Sequence, residues 1–182
     1  MKYLLKYNLF LEENEFDVKD SDAEDVKMSK EKLDDLKNHI SDYNQNKSKI
    51  VDLYKKANSI EEANEQLEKI IGRDSEDRNP FLVQLANIER MSKEIDLMQD
   101  STANDKIKID DLKQELSFTK DDTTKKSLAA KISDINNRIA DRNKKIADKQ
   151  KEVIEGDKTH KEKMIKSQSE IQEWIKKISD LG

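Results

Sequence analysis

Two histidines, no cysteine and a surplus of carboxylates are the chemistry-bearing groups of this chain. A metal site built on helices needs ligands one turn apart, as in a His-Glu-x-x-His run. His39 is followed one turn later by Tyr43 and His160 by Met164, so neither has a second ligand at that spacing. Both are expected on a helix surface or in an apolar stripe. Without cysteine there is no thiolate metal site and no disulfide. Gly72, Gly156 and Gly182 are isolated, so no phosphate-cradling loop can be built from them. The run Gly72-Arg73-Asp74-Ser75-Glu76-Asp77-Arg78-Asn79-Pro80 is acidic like a calcium loop, but lacks its central glycine and closing glutamate. Four Tyr, four Phe and one Trp are too scattered for a base-stacking platform. A net charge of −5 argues against nonspecific nucleic-acid binding. Paired carboxylates carry no information in a chain with 40 acidic residues. We therefore expect no enzyme, no cofactor, no metal and no specific nucleic-acid partner.

With no reactive constellation, the elements themselves hold the information. Charged residues make up 41% of the chain and hydrophobic ones 34%, too polar for a thick globular core. The apolar residues are regularly spaced, which separates the chain from disordered sequences. Such a composition suits helices that bury a narrow stripe and solvate the rest. Three glycines and one proline leave room for long helices. No apolar run approaches the roughly 20 residues of a membrane span. Lys6 interrupts the apolar start, acids follow, and no small-residue cleavage site appears, so neither a membrane role nor a secretory signal is expected. Charge is uneven: Glu12 to Asp25 holds eight acids and one base, whereas sixteen Lys/Arg face twelve Asp/Glu from Thr119 onward.

Three long helices are expected after a leader of residues 1–23. The first, 24–71, carries Leu33, Leu36, Ile40, Tyr43, Ile50, Leu53 or Tyr54, Ala57, Ile60, Leu67 and Ile70, with the stripe broken at Lys47. Gly72 suits the position after a helix end, and Pro80 suits the first turn of the next. The second, 80–118, carries Phe81, Leu85, Ile88, Met91, Ile95, Met98, Thr102, Ile109, Leu112 and Leu116, broken at Asp105. Thr119 to Thr124 is a turn, with Asp121, Asp122 or Thr123 as cap. The third, 124–181, carries Leu128, Ile132, Ile135, Ile139, Ile146 and Val153, with Arg142 inside the run. Its register is expected to slip near Gly156 and to resume through Met164, Ile171, Ile175 and Ile178.

Short loops make neighbouring helices antiparallel. Around the second turn, partners should have numbers summing to about 244, so that Leu116 meets Leu128 and Met98 meets Ile146. Around the first they should sum to about 152, so that Leu67 meets Leu85, Ala57 meets Ile95 and Tyr43 meets Ile109. Lys47 then falls opposite Asp105, a polar layer that would fix register. The expected fold is all-α: an elongated antiparallel three-helix bundle or coiled coil, 24–164, about 70 Å long at 1.5 Å per residue, with a projecting C-terminal helix. The projection, 165–182, carries Ile171, Trp174, Ile175, Ile178 and Leu181, a stripe that should dock on a partner. Tyr3, Tyr7 and Phe10 in the leader would dock at the other end. The same heptads could instead serve a parallel homo-oligomer.

The start, Met1-Lys2-Tyr3-Leu4-Leu5-Lys6-Tyr7-Asn8-Leu9-Phe10-Leu11-Glu12-Glu13, resembles the N-terminal leaders of proteins in large tailed bacteriophages, notably internal head proteins. In those leaders a maturation protease cuts after a glutamate preceded two residues earlier by Leu or Ile. Leu11-Glu12-Glu13 matches, which implies Glu13 as the processing site. The resemblance covers the leader alone. It implies a noncatalytic virion or head-assembly spacer or adaptor, in the virion or host cytoplasm, with capsid, portal or tail proteins as partners and self-association as a further option. The alternative is a cellular or secreted coiled-coil adaptor that binds a partner helix.

Overall fold

The computed structural model describes residues 23–71 and 78–180, with side-chain surroundings from residue 29 onward. Among the described residues there are four helices and no strand, an all-α helical bundle. The helices are α1 (Ala23–Lys56), α2 (Ile60–Ile71), α3 (Pro80–Phe118) and α4 (Asp122–Asp180). They form two compact units. One contains the described residues up to Asn87 together with the part of α4 from Gly156; the other is Ile88–Glu155. This division differs from the expected one, in which 24–164 formed a single bundle and 165–182 projected from it. Residues 165–180 belong instead to the first unit.

In the first unit the expected single helix over 24–71 is broken at Ala57-Asn58-Ser59. Ser59 causes the restart. Its hydroxyl accepts a hydrogen bond from the Glu62 amide at 3.2 Å, and the Glu62 carboxylate accepts one from the Asn58 amide at 2.9 Å. This is a variant of the reciprocal capping box, in which side chains satisfy the amides that a helix start leaves unpaired. The break lets α2 pack against α1. Tyr54 donates from its hydroxyl to Asn64 at 3.2 Å, and Ala63 enters a core with Ile50, Leu53, Tyr54, Ala57, Leu82, Leu85 and Ala86. Ile50, Ala63 and Leu82 are fully buried there. Leu67, Ile70 and Ile71 pack on the same cluster.

The direction of α1 relative to α3 follows. Asn79, just before α3, meets His39 and Asp42; Phe81 meets Tyr43; Leu82 to Ala86 share a core with Ile50 to Ala57. Residue numbers rise together, so α1 and the start of α3 run parallel. The expected antiparallel pairing of Ala57 with Ile95 and Tyr43 with Ile109 assumed one unbroken helix. With α2 turned back, the start of α3 lies beside the middle of α1, and Ala57 and Tyr43 find partners at the beginning of α3.

In the second unit α3 and α4 form an antiparallel hairpin on the expected register: Thr102 meets Arg142 and Glu94 pairs with Lys149. Thr119 closes α3 by bonding the Glu115 carbonyl through both its amide (3.1 Å) and its hydroxyl (2.9 Å). Asp121 caps α4, its carboxylate accepting from the Thr124 amide and hydroxyl, each at 2.7 Å. Ile88, Ile95, Ile109, Leu128, Ile135 and Ile146 are buried as the apolar spacing requires. Burial of each such side chain contributes about 1.5–3 kcal/mol.

Candidate functional site

Among the described residues the fold takes Ser29 near the start of α1 out of water, and two further sets of polar groups, one in each unit. In the second unit, Asp105 is 5% exposed and Thr102 7%. They stand one turn apart on α3, as i and i+3, so both point at the same stretch of α4. Arg142 occupies that stretch. One guanidinium nitrogen donates to Asp105 at 3.1 Å and another to the Thr102 hydroxyl at 3.3 Å, while that hydroxyl donates to the Met98 carbonyl at 2.9 Å. Arg138 and Lys108 each approach the other carboxylate oxygen at 3.5 Å. Desolvation pushes the Asp105 carboxyl upward, but the Arg142 hydrogen bond and the Arg138, Arg142 and Lys108 charges outweigh it and hold the group below the usual carboxylate range.

The expected partner of Asp105 was Lys47. Lys47 is instead exposed, with its ammonium 5.9 Å from the centre of the Tyr43 ring. The polar layer is therefore Asp105 with Arg142. All three stripes carried a charged interruption, and the two that meet are those on helices whose connecting turn was read correctly. Chemically this arrangement holds two helices in one register, since a shift by one turn would strand a buried carboxylate.

In the first unit, Asn79 is 3% exposed and serves two functions at once. Its carbonyl oxygen caps α3, accepting from the Phe81 amide at 3.0 Å and the Leu82 amide at 3.4 Å. Its amide nitrogen donates to the His39 carbonyl at 2.6 Å and to Asp42 at 3.0 Å, which ties the start of α3 to α1. Nearby, the Tyr43 hydroxyl lies 3.0 Å from Nε2 of His160, with ring centres 5.3 Å apart. His160 is 3% exposed, and its Nδ1 is buried with no hydrogen-bond partner among the described residues. Burial lowers the His160 pKa; Asp157 opposes this while Lys163 and Lys161 add to it. Burial raises the Tyr43 pKa, helped by Asp157.

His160 was expected on a surface or in a stripe, and it lies in the stripe. The expected slip near Gly156 does not occur. Val153, Asp157, His160, Met164, Ser167, Ile171, Trp174 and Ile178 are all buried or half-buried, an unbroken 3-4 alternation in which His160 and Ser167 fill apolar positions. The readable signal was spacing: His160 follows Ile146 and Val153 at intervals of one heptad.

Of the expected docking residues, Ile171, Trp174 and Ile178 are half-buried and Ile175 is 42% exposed. The Lys177 ammonium sits 5.3 Å from the Trp174 ring centre, covering part of it. Burial raises the Glu170 pKa on the same stretch, against the attraction of Lys166. Tyr3, Tyr7, Phe10, Glu13 and Leu181 lie outside the described residues. Among the described residues no group of three or more His, Cys, Asp or Glu side chains could hold a metal ion, and no helix is long and apolar enough to cross a membrane. Set beside known proteins, the chain finds no match: no family model, no curated protein and no solved structure is similar to it.

Proposed function

We propose that this chain is a noncatalytic structural protein, a spacer or adaptor in a tailed-bacteriophage virion or head assembly. It docks through its N-terminal leader and the C-terminal stretch of α4, with capsid, portal or tail proteins as partners. The observation that carries the noncatalytic part is the Asp105–Arg142 layer. The buried charge of the second unit is neutralised within its own seam, at 3.1 Å, by groups that fix a register. A site that performs chemistry needs a group poised against a substrate, whereas this carboxylate is spent on three cations of its own hairpin. The phage context rests on the leader, whose Leu11-Glu12-Glu13 suits a maturation cut.

An affinity capture of the intact chain from its own source, read by mass spectrometry, tests this. Recovery of capsid, portal or tail proteins is the expected result. The C-terminal contribution is tested by Ile175→Asp rather than by truncation, because residues 165–180 are part of the first unit. Ile175 is partly exposed, so the variant should keep its helicity and lose the captured partner. Recovery of chromosomal or secretion proteins instead would favour the second reading, a cellular or secreted coiled-coil adaptor. The half-exposed apolar face at Ile171, Trp174, Ile175 and Ile178 supports that reading equally, since it suits a partner helix in either setting.

A further inference from the structure

The Tyr43–His160 pair is a hydrogen bond between α1 and α4 inside the first unit, and its acceptor–donor arithmetic is incomplete. In the neutral imidazole one ring nitrogen carries a proton and the other a lone pair. With Nε2 engaged by the Tyr43 hydroxyl, Nδ1 is left facing protein with nothing to bond among the described residues. An idle lone pair there already costs its hydration, and a charged group costs more. A second N–H would replace it with an unpaired donor on a charged ring, which loses more hydration than the neutral one. Protonation would create that donor and place a positive charge in a position 3% exposed.

Among the described residues the charges around the ring are mixed, and burial outweighs the one carboxylate that favours the imidazolium. From α1 come Tyr43 itself, Lys47 near its ring, and Asp42, whose oxygens already accept from Asn46 at 2.6 Å and Asn79 at 3.0 Å. At the start of α3 stand Asn79 and Phe81, both uncharged, Phe81 with its ring centre 6.3 Å from that of Tyr43. From α4 come Lys161 and Lys163, which disfavour the imidazolium, and Asp157, which favours it but is engaged by Lys161 at 2.5 Å. The lysine charges on α4 therefore stand against the imidazolium in addition to the loss of its hydration.

We propose that the Tyr43–His160 contact is an acid-released clasp: proton uptake by His160 parts α4 from α1 within the first unit. The Asp105–Arg142 seam of the second unit has no histidine and stays closed over the same range. The sign follows from linkage. His160 binds its proton less readily in the folded state than when released. The clasp is therefore at full strength above the ordinary histidine value of about 6.5 and weakens as pH falls below it.

Amide hydrogen exchange on the full chain, corrected for intrinsic rates, tests the clasp between about pH 7.5 and pH 5. Peptides covering Tyr43 and 156–164 should lose protection, approaching about tenfold per pH unit below the onset, while 88–155 keeps it. His160→Gln places an amide nitrogen near the same hydroxyl but cannot titrate, and should abolish the acid response, whereas His39→Gln should keep it. An unchanged wild type, or an undiminished response in His160→Gln, overturns the proposal. If His160→Gln fails to fold at neutral pH, an NMR titration of the wild-type His160 ring decides. Proton uptake and loss of protection at one midpoint support the clasp. Uptake with protection retained, or no uptake before the unit unfolds, overturns it.

Discussion

Arg142 reaches from α4 to Asp105 on α3 at 3.1 Å, and the carboxylate it meets is 5% exposed. The pair constrains the hairpin, yet buried ion pairs hold register better than they add stability. Asp105→Leu alone should lower the urea midpoint by stranding Arg142, and Arg142→Leu should do the same by stranding Asp105. The double variant should recover the wild-type midpoint or pass it. A double variant that is worse than either single one would mean that the layer stabilises the seam outright.

Asn79 predicts a different pattern, because its two ends do separate work. Asn79→Ala should cost about 2–3 kcal/mol in urea unfolding, the cap of roughly 1 kcal/mol plus the buried bonds to α1. Asn79→Asp keeps the capping oxygen but replaces the donor facing the His39 carbonyl and Asp42 with a second carboxylate. It should therefore recover little of the loss. A fully stable Asn79→Asp protein would show that only the cap matters.

Leu82 and Ile107 lie on one helix and differ sharply in burial, the first fully buried and the second 61% exposed. Leu82→Ala should cost about 2–5 kcal/mol. Ile107→Ala should stay within about 0.5 kcal/mol, the range of ordinary surface changes. Chemical denaturation of both variants checks the placement of α3 in the core of the first unit.

Asp121 gives a pH dependence. The Thr124 hydroxyl and amide bonds lower its pKa, with a smaller opposing effect of desolvation. A depressed carboxyl stabilises the fold above its unfolded value, about 3.9, and the gain fades as pH falls through the folded value. Melting of wild type and Asp121→Ala should differ at neutral pH and converge in strong acid. A gap of constant size down to the lowest pH would remove the cap from the account.

Tyr43→Phe removes the hydroxyl that engages His160 Nε2 and leaves both ring nitrogens unpaired. It should destabilise the first unit by about 1–3 kcal/mol at neutral pH, read by hydrogen exchange in the peptides around His160. No change there would mean the hydroxyl bond contributes nothing.

The second unit was legible because each of its signals is local. The turn at Thr119 to Asp121 and the stripes on either side fix both the helices and their register. The first unit was less so. The spacing through Ala57, Ile60, Leu67 and Ile70 continues across the break at 57–59, so periodicity sees one helix where there are two. The contrary signal was Ser59-Ile60-Glu61-Glu62, a helix-start pattern in the middle of an apolar stripe. That one misreading moved α1 against α3 and led to Lys47 in place of Arg142 as the partner of Asp105. For another reason, the partners of His160 and Asn79 were not legible. A histidine in a heptad position and an asparagine before a proline look ordinary until the groups 117 and 40 residues away are known.

The helix α4 serves both units, and this orders events during synthesis. The second unit ends at Glu155, and its layer joins residues only 37 apart, so it can close as soon as the chain to that point has left the ribosome. The first unit began earlier but waits longer, since Tyr43 meets a group 117 residues downstream. Tyr43 can meet Phe81 early, but its hydroxyl finds Nε2 of His160 only after that part of α4 has emerged. The segment made first is thus joined to α4 only after the whole of the second unit has been made.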